Sequence, residues 1–160
     1  MGALGGTGSN PSFVATATIH VSRAVMFSTI TGETTAPTSP GIAGVVECTT
    51  TGAPVGIASE GSYYTPGLAG SDVTIAAIAG VGLHVYGPGE TCWGYCDPAG
   101  LDIPAGAFVK VVSATGLLGP VTGSAYQSGQ WVVGRAIDAI LAGKVGRVYV
   151  NPQQLAIPQS

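Results

Sequence analysis

The chain has 160 residues with a net charge of −3; Gly 26 and Pro 11 are abundant, hydrophobic residues make up 46% and charged residues only 8%. That charged share is about a third of the ~25% usual in globular domains. It excludes intrinsic disorder, which needs high charge and few apolar groups, and the Gly and Pro content excludes a helical bundle. Five basic residues against eight acidic ones leave no cationic footprint for nucleic acid.

Residues 1–12 are mostly Gly, Ser, Thr, Asn and Pro with little to pack, and read as a flexible N-terminal arm. They carry no positively charged, apolar leader of the secretory kind. The longest apolar stretch, Val73 to Tyr86, is shorter than the ~20 residues that span a bilayer and is broken by Gly. A soluble protein with no membrane partner is the expectation. From Phe13 to Ser22, apolar Phe13, Ala15, Ala17, Ile19 and Val21 alternate with Thr16, Thr18, His20 and Ser22, with Val14 the one departure, which predicts one half-buried strand. Ala24–Phe27 continues as a short apolar run, and the two-proline segment 31–41 is an exposed loop.

Short β-prone pieces follow at Ile42–Cys48, Pro54–Ala58, Val73–Ala79, Val81–Tyr86, Thr91–Tyr95, Phe108–Ser113, Trp131–Ile140 and Arg147–Val150. Gly and Pro separate them, and Asp97-Pro98-Ala99-Gly100 fits a type I turn. The segment 137–142 reads either as a helical turn ended by Gly143 or as an extension of the Trp131 strand into a hairpin with Ala142–Gly146 at its tip, the strand being preferred. The pattern predicts an all-β chain with little or no helix: residues 13–160 as one compact β-barrel or β-sandwich with long loops.

Sites of chemistry are scarce. There is no Gly-x-Ser-x-Gly elbow, no phosphate-cradling loop and no His-Glu-x-x-His. His20 falls on the polar side of the first strand and His84 inside an apolar one; either is a candidate base near neutral pH, and both read better as strand residues. Cys92 and Cys96, at i and i+4, share a face of a straight strand. With Cys48 and His84 they have the composition of a zinc set, whereas a Cys92–Cys96 disulfide would have to close about 13 Å of straight strand. The preferred reading is three small buried thiols. Asp97, Asp102 and Glu90 offer too few oxygens for a hard cation. No catalytic residue, cofactor or metal is expected.

Aromatic residues are bunched. Trp and Tyr bury large areas at low entropic cost and anchor interfaces, so Phe13, Tyr63, Tyr64, Trp93, Tyr95 and Trp131 are the candidate interface residues. Trp93 and Tyr95 lie on one strand face and suit a core equally well. An ordinary monomer carries roughly 25–35% charged residues on its surface; a chain this poor in charge suggests a surface covered by neighbouring chains.

Pro54-Val55-Gly56-Ile57-Ala58, Val73-Thr74-Ile75-Ala76, Gly106-Ala107-Phe108-Val109-Lys110-Val111 and the closing Trp131-Val132-Val133-Gly134-Arg135-Ala136 with Arg147-Val148-Tyr149-Val150 together resemble the head decoration (cement) proteins of tailed bacteriophages. The closing pair follows their V-x-G-x-A … G-x-V-x-V hairpin, and the likeness runs over roughly residues 41–152. Residues 1–40 and the Cys92–Cys96 segment depart from it. The resemblance implies a β module on the outer surface of the virion that binds the major capsid protein, often as a homotrimer, and braces the shell without catalysis. The rival expectations are a tail, fibre or adhesin module binding a receptor or glycan, and a small hydrolase using His20 or His84.

Overall fold

A computed structural model describes residues 13–28, 43–58, 74–122 and 129–155. The expected arm 1–12 and the loop 31–41, with Tyr63 and Tyr64, lie outside the described residues. Within them the regular structure is entirely β. The strands are β1 (Phe13–Ala15), β2 (Ile19–His20), β3 (Ala24–Phe27), β4 (Ala43–Glu47), β5 (Gly56–Ala58), β6 (Ile75–Ala77), β7 (Gly82–Leu83), β8 (Val85–Tyr86), β9 (Thr91–Tyr95), β10 (Phe108–Val111), β11 (Leu118–Pro120), β12 (Trp131–Ala136) and β13 (Val145–Gln154).

Six of these form a sheet ordered β7-β1-β4-β3-β5-β8. Its two outermost strands, β7 and β8, are separated in sequence by His84 alone. One short stretch therefore lines both edges, and the sheet curls into a nearly closed barrel. β7 is laddered to β1 and β8 to β5, and edge strands only two residues long offer little template for pairing with another chain. The narrow interior is filled by Phe13, Ala15, Val25, Val45, Ala58, Leu83 and Val85, joined by Ile19, Ala76 and Ala77 from the small β2–β6 pair.

The other sheet, β11-β10-β12-β13-β9, is antiparallel throughout. It packs one face on the flank of the barrel, where Ala24 and Ile57 of the barrel meet Cys92, Val109, Val111, Leu118, Val133, Val148 and Val150. This is the larger core.

The strand expected over 13–22 is two strands in different sheets. β1 ends at Ala15, where the backbone N–H and Oγ1 of Thr16 both donate to the Val45 carbonyl, at 2.9 and 3.2 Å. The chain then turns so that Ile19 still reaches the barrel core. The stretch 137–142 is neither helix nor strand continuation. β12 stops at Ala136, and Ile140 exchanges two 2.8 Å backbone bonds with Ile103, which pulls the connection across the sheet end and buries Ile140. β11 falls where Gly119-Pro120 suggested only a turn. It is an edge strand, the one place in a sheet where Pro costs no ladder bond.

Candidate functional site

Alternation along β9 divides its residues cleanly. Cys92 and Gly94 are buried toward the barrel with Cys96 just beyond the strand, while Trp93 stands outward, 51% exposed, with Tyr95 half-buried beside it. Register then fixes their neighbours. Trp93 lies opposite Arg147, Tyr95 opposite Val145, and Thr91 opposite Tyr149; Tyr149 in turn faces Arg135, and Arg135 faces Phe108. The outer face of the sheet is thus a continuous patch of Trp, Tyr, Val, Phe and Arg, with Val145 and Tyr149 also largely exposed.

Its cations are held in place. The Arg135 guanidinium stacks 4.2 Å from the Phe108 ring centroid. Arg147 forks onto Asp138, with Nε and Nη2 at 2.7 and 2.8 Å from the two carboxylate oxygens. That hydrogen bond holds the Asp138 carboxyl below its ordinary range and lifts Arg147 above its own. The pair is exposed, so its worth lies in orienting Arg147 rather than in stability.

Beside this face opens a pocket of about 280 Å³ lined by His20, Val21, Ser22, Arg23, Thr74, Tyr95 and Val145. Glu47 is nearly buried and accepts the His20 backbone N–H at 2.8 Å and pairs with His20 Nδ1 at 2.7 Å, both through Oε1. An ionised carboxylate only accepts, so the proton of a neutral His20 is assigned to Nδ1 and Nε2 is left uncommitted to Glu47. Ser22 adopts φ 60°, the left-handed region that side chains disfavour, and is the one non-glycine to do so among the described residues. The strain is held by two backbone bonds: Ser22 N–H to the Ala58 carbonyl, and Tyr95 N–H to the Ser22 carbonyl. Ser22 therefore ties the barrel to β9. Arg23, next in sequence, lies 4.9 Å from the Tyr95 ring centroid.

The six sequence candidates separate. Trp93 and Tyr95 come together on the outer face, and Trp131 is half-buried opposite Gln154 at the start of β12. Phe13 is 7% exposed inside the barrel, 6.3 Å from Phe27, which carries the exposed ring at that end. The sequence reading missed Val145, Arg147, Tyr149 and Arg135, although the alternation Arg147-Val148-Tyr149-Val150 contains the signal for the outward pair. It also missed the pocket, because Thr74, Tyr95 and Val145 are remote in sequence from His20, Ser22 and Arg23.

Cys48, Cys92 and Cys96 are all buried free thiols. Burial pushes Cys48 up to about 11 and Cys92 to about 12, and raises Cys96 as well. They are protonated at neutral pH and poor nucleophiles or ligands. Among the described residues no group of three or more His, Cys, Asp or Glu converges to hold a metal ion. His84 is exposed, its ring edge-on to Tyr86 at 4.7 Å.

No protein-family model matches the chain, and no curated protein matches it.

Proposed function

We propose that this chain is a structural assembly module that docks through the outer face of the five-stranded sheet, and that the assembly is a phage head. In that reading it is a decoration protein on the outer surface of the virion. It binds the major capsid protein as a homotrimer and cross-links capsid subunits. The observation that carries the docking reading is the exposed set Trp93, Val145 and Tyr149 interleaved with Arg135 and Arg147. Trp, Tyr and Arg dominate the energetics of protein interfaces. A chain with 8% charged residues also gains solubility when neighbours cover such a face. The phage assignment rests on the sequence resemblance across residues 41–152 and on its agreement with an all-β module. Many weak contacts repeated around a symmetric shell become durable through avidity.

The test is co-sedimentation with capsids of the same virus that lack this protein, together with light scattering of the free protein. Wild type is expected to saturate the shells and to run as a trimer, and Trp93→Ala and Tyr149→Ala to lose occupancy while staying folded. A folded wild-type protein that ignores the shells would overturn the phage reading. Unchanged binding of both variants would overturn the choice of face.

A further inference from the structure

We infer that the pocket bounded by His20, Ser22, Arg23, Thr74, Tyr95 and Val145 receives a carboxylate side chain, Asp or Glu, from the protein docked on the adjoining sheet face. This rests on the docking reading above and adds to it the chemistry of one anchor.

Arg23 is the reason. Its guanidinium is pinned by the Tyr95 ring at 4.9 Å, and its polar contact is a marginal 3.5 Å approach to the Thr115 carbonyl. Arg23 takes part in neither the His20–Glu47 nor the Arg147–Asp138 ion pair. Burial pulls its ionisation below the usual value, outweighing the attraction of Glu47, Tyr95 and Asp97. The cation is thus partly desolvated and under-compensated. Glu47, the largest of these attractions, already pairs through Oε1 with His20. A carboxylate arriving from outside offers a planar guanidinium the two-oxygen geometry it binds best.

The size and walls select the carrier. About 280 Å³ has room for one side chain and lies at the lower edge of the roughly 300–1,000 Å³ usual for small-molecule pockets. Val21 and Val145 supply an apolar wall for the methylenes of such a side chain. The mouth is shared with the docking face, because Tyr95 and Val145 are cross-strand partners on it. A chain lying over Trp93 therefore passes the opening, which favours a protein's side chain over a free acidic sugar.

The experiment is an NMR titration of the isotope-labelled intact protein with N-acetyl-glutamate N-methylamide, its glutamine counterpart, and glucuronate. The glutamate probe is expected to shift the amides of Ser22, Arg23, Tyr95 and Val145 saturably in the roughly millimolar range, the glutamine probe not at all. Arg23→Lys should weaken the response and Arg23→Gln abolish it with the rest of the spectrum unchanged. The wild-type comparison of the two amides stands even if a variant fails to fold. Absence of saturable shifts, or an equal response to glutamine, overturns the inference. A response to glucuronate alone overturns the assignment to a protein side chain. The titration needs no capsid, so its failure and that of the docking reading are separable: shells bound at wild-type strength by Arg23→Gln but not by Trp93→Ala would sink the pocket and spare the face.

Discussion

The barrel and the five-stranded sheet use the same residue types to opposite ends. The barrel closes on itself through the Gly82–Tyr86 stretch, and its interior is narrow enough to be filled largely by Ala and Val. The five-stranded sheet stays open, with one face on the larger core and the other presenting Trp93, Val145 and Tyr149 to solvent. Of the exposed large hydrophobic residues among those described, only Phe27 belongs to a barrel strand. The contrast teaches where function can reside. A nearly closed sheet turns one face wholly inward, whereas the open one keeps a broad apolar and aromatic face toward solvent.

The sharpest way to break this comparison is to cut the joint between its halves. Ile57 belongs to the barrel strand β5 yet is fully buried in the core beneath the other sheet. Ile57→Ala should cost about 2–5 kcal/mol in urea unfolding, the range for emptying a well-packed site, with loss of both sheets in a single transition. Two separated transitions would show that the sheets do not share one cooperative core.

A pair of glycines tests the packing densities of the two regions. A Cβ at Gly94 would stand 2.5 Å from Leu118 Cδ1 and 2.9 Å from Val148 Cγ2, whereas one at Gly82, in the edge strand β7, would meet only the Phe13 carbonyl at 3.7 Å. Gly94→Ala should therefore destabilise by about 1–3 kcal/mol through overpacking. Gly82→Ala should change stability by no more than about 0.5 kcal/mol, as an ordinary surface substitution does. Equal costs measured by denaturant midpoint would contradict the tight inner face of β9.

Much of this architecture is legible in the residues themselves. The short β-prone pieces at Thr91–Tyr95, Phe108–Ser113, Trp131–Ile140 and Arg147–Val150, set apart by Gly and Pro, mark strands of the five-stranded sheet, and the all-β class follows from them. In the closing V-x-G-x-A … G-x-V-x-V hairpin the fixed positions Gly134, Ala136, Gly146, Val148 and Val150 are buried, and of the variable ones Arg135, Arg147 and Tyr149 face outward. A motif written by core packing thus carries the fold and is mute about the docking face. The barrel was harder to foresee. Its strands are two to five residues long, too short for periodicity to distinguish one strand from two, and the break after Ala15 is set by tertiary bonds from Thr16 to Val45. The bulge between Val132 and Gly134, which buries two consecutive valines, breaks the alternation for the same reason. The pocket needed three dimensions: Ser22 and Arg23 meet Tyr95 only because the turn after β2 hydrogen-bonds to β9.

The thiols sharpen the comparison by pH, since all three lie in the core under the five-stranded sheet and none inside the barrel. A thiol whose folded value is raised favours the folded state as long as it stays protonated in both states. That stability is complete below the unfolded value of 9.0 and is lost as pH climbs toward about 11 for Cys48 and about 12 for Cys92. Between these limits each thiol should remove about 1.4 kcal/mol per pH unit. Urea unfolding at pH 8, 9 and 10 should show the decline, and Cys92→Ala should make it shallower. Native protein at neutral pH should resist iodoacetamide until denaturant is added. Rapid labelling of the folded chain would mean that this core is more open than the barrel's.

A modest effect on stability is expected at Trp93, and it decides whether the outer face is free. A ring 51% exposed leaves only part of its surface to folding, so Trp93→Ala should shift stability by about 1 kcal/mol, the scale of a strand-propensity or cross-strand pair change, below Ile57→Ala. The same substitution should remove capsid binding, because a large aromatic side chain can provide 2 kcal/mol or more of interface energy once its partner excludes water. A loss of stability comparable to that of a core residue would mean that Trp93 already has its packing partner within the chain. The distinction between the closed and the open sheet would then fail at the residue that best expresses it, because a ring used for folding is not available for docking.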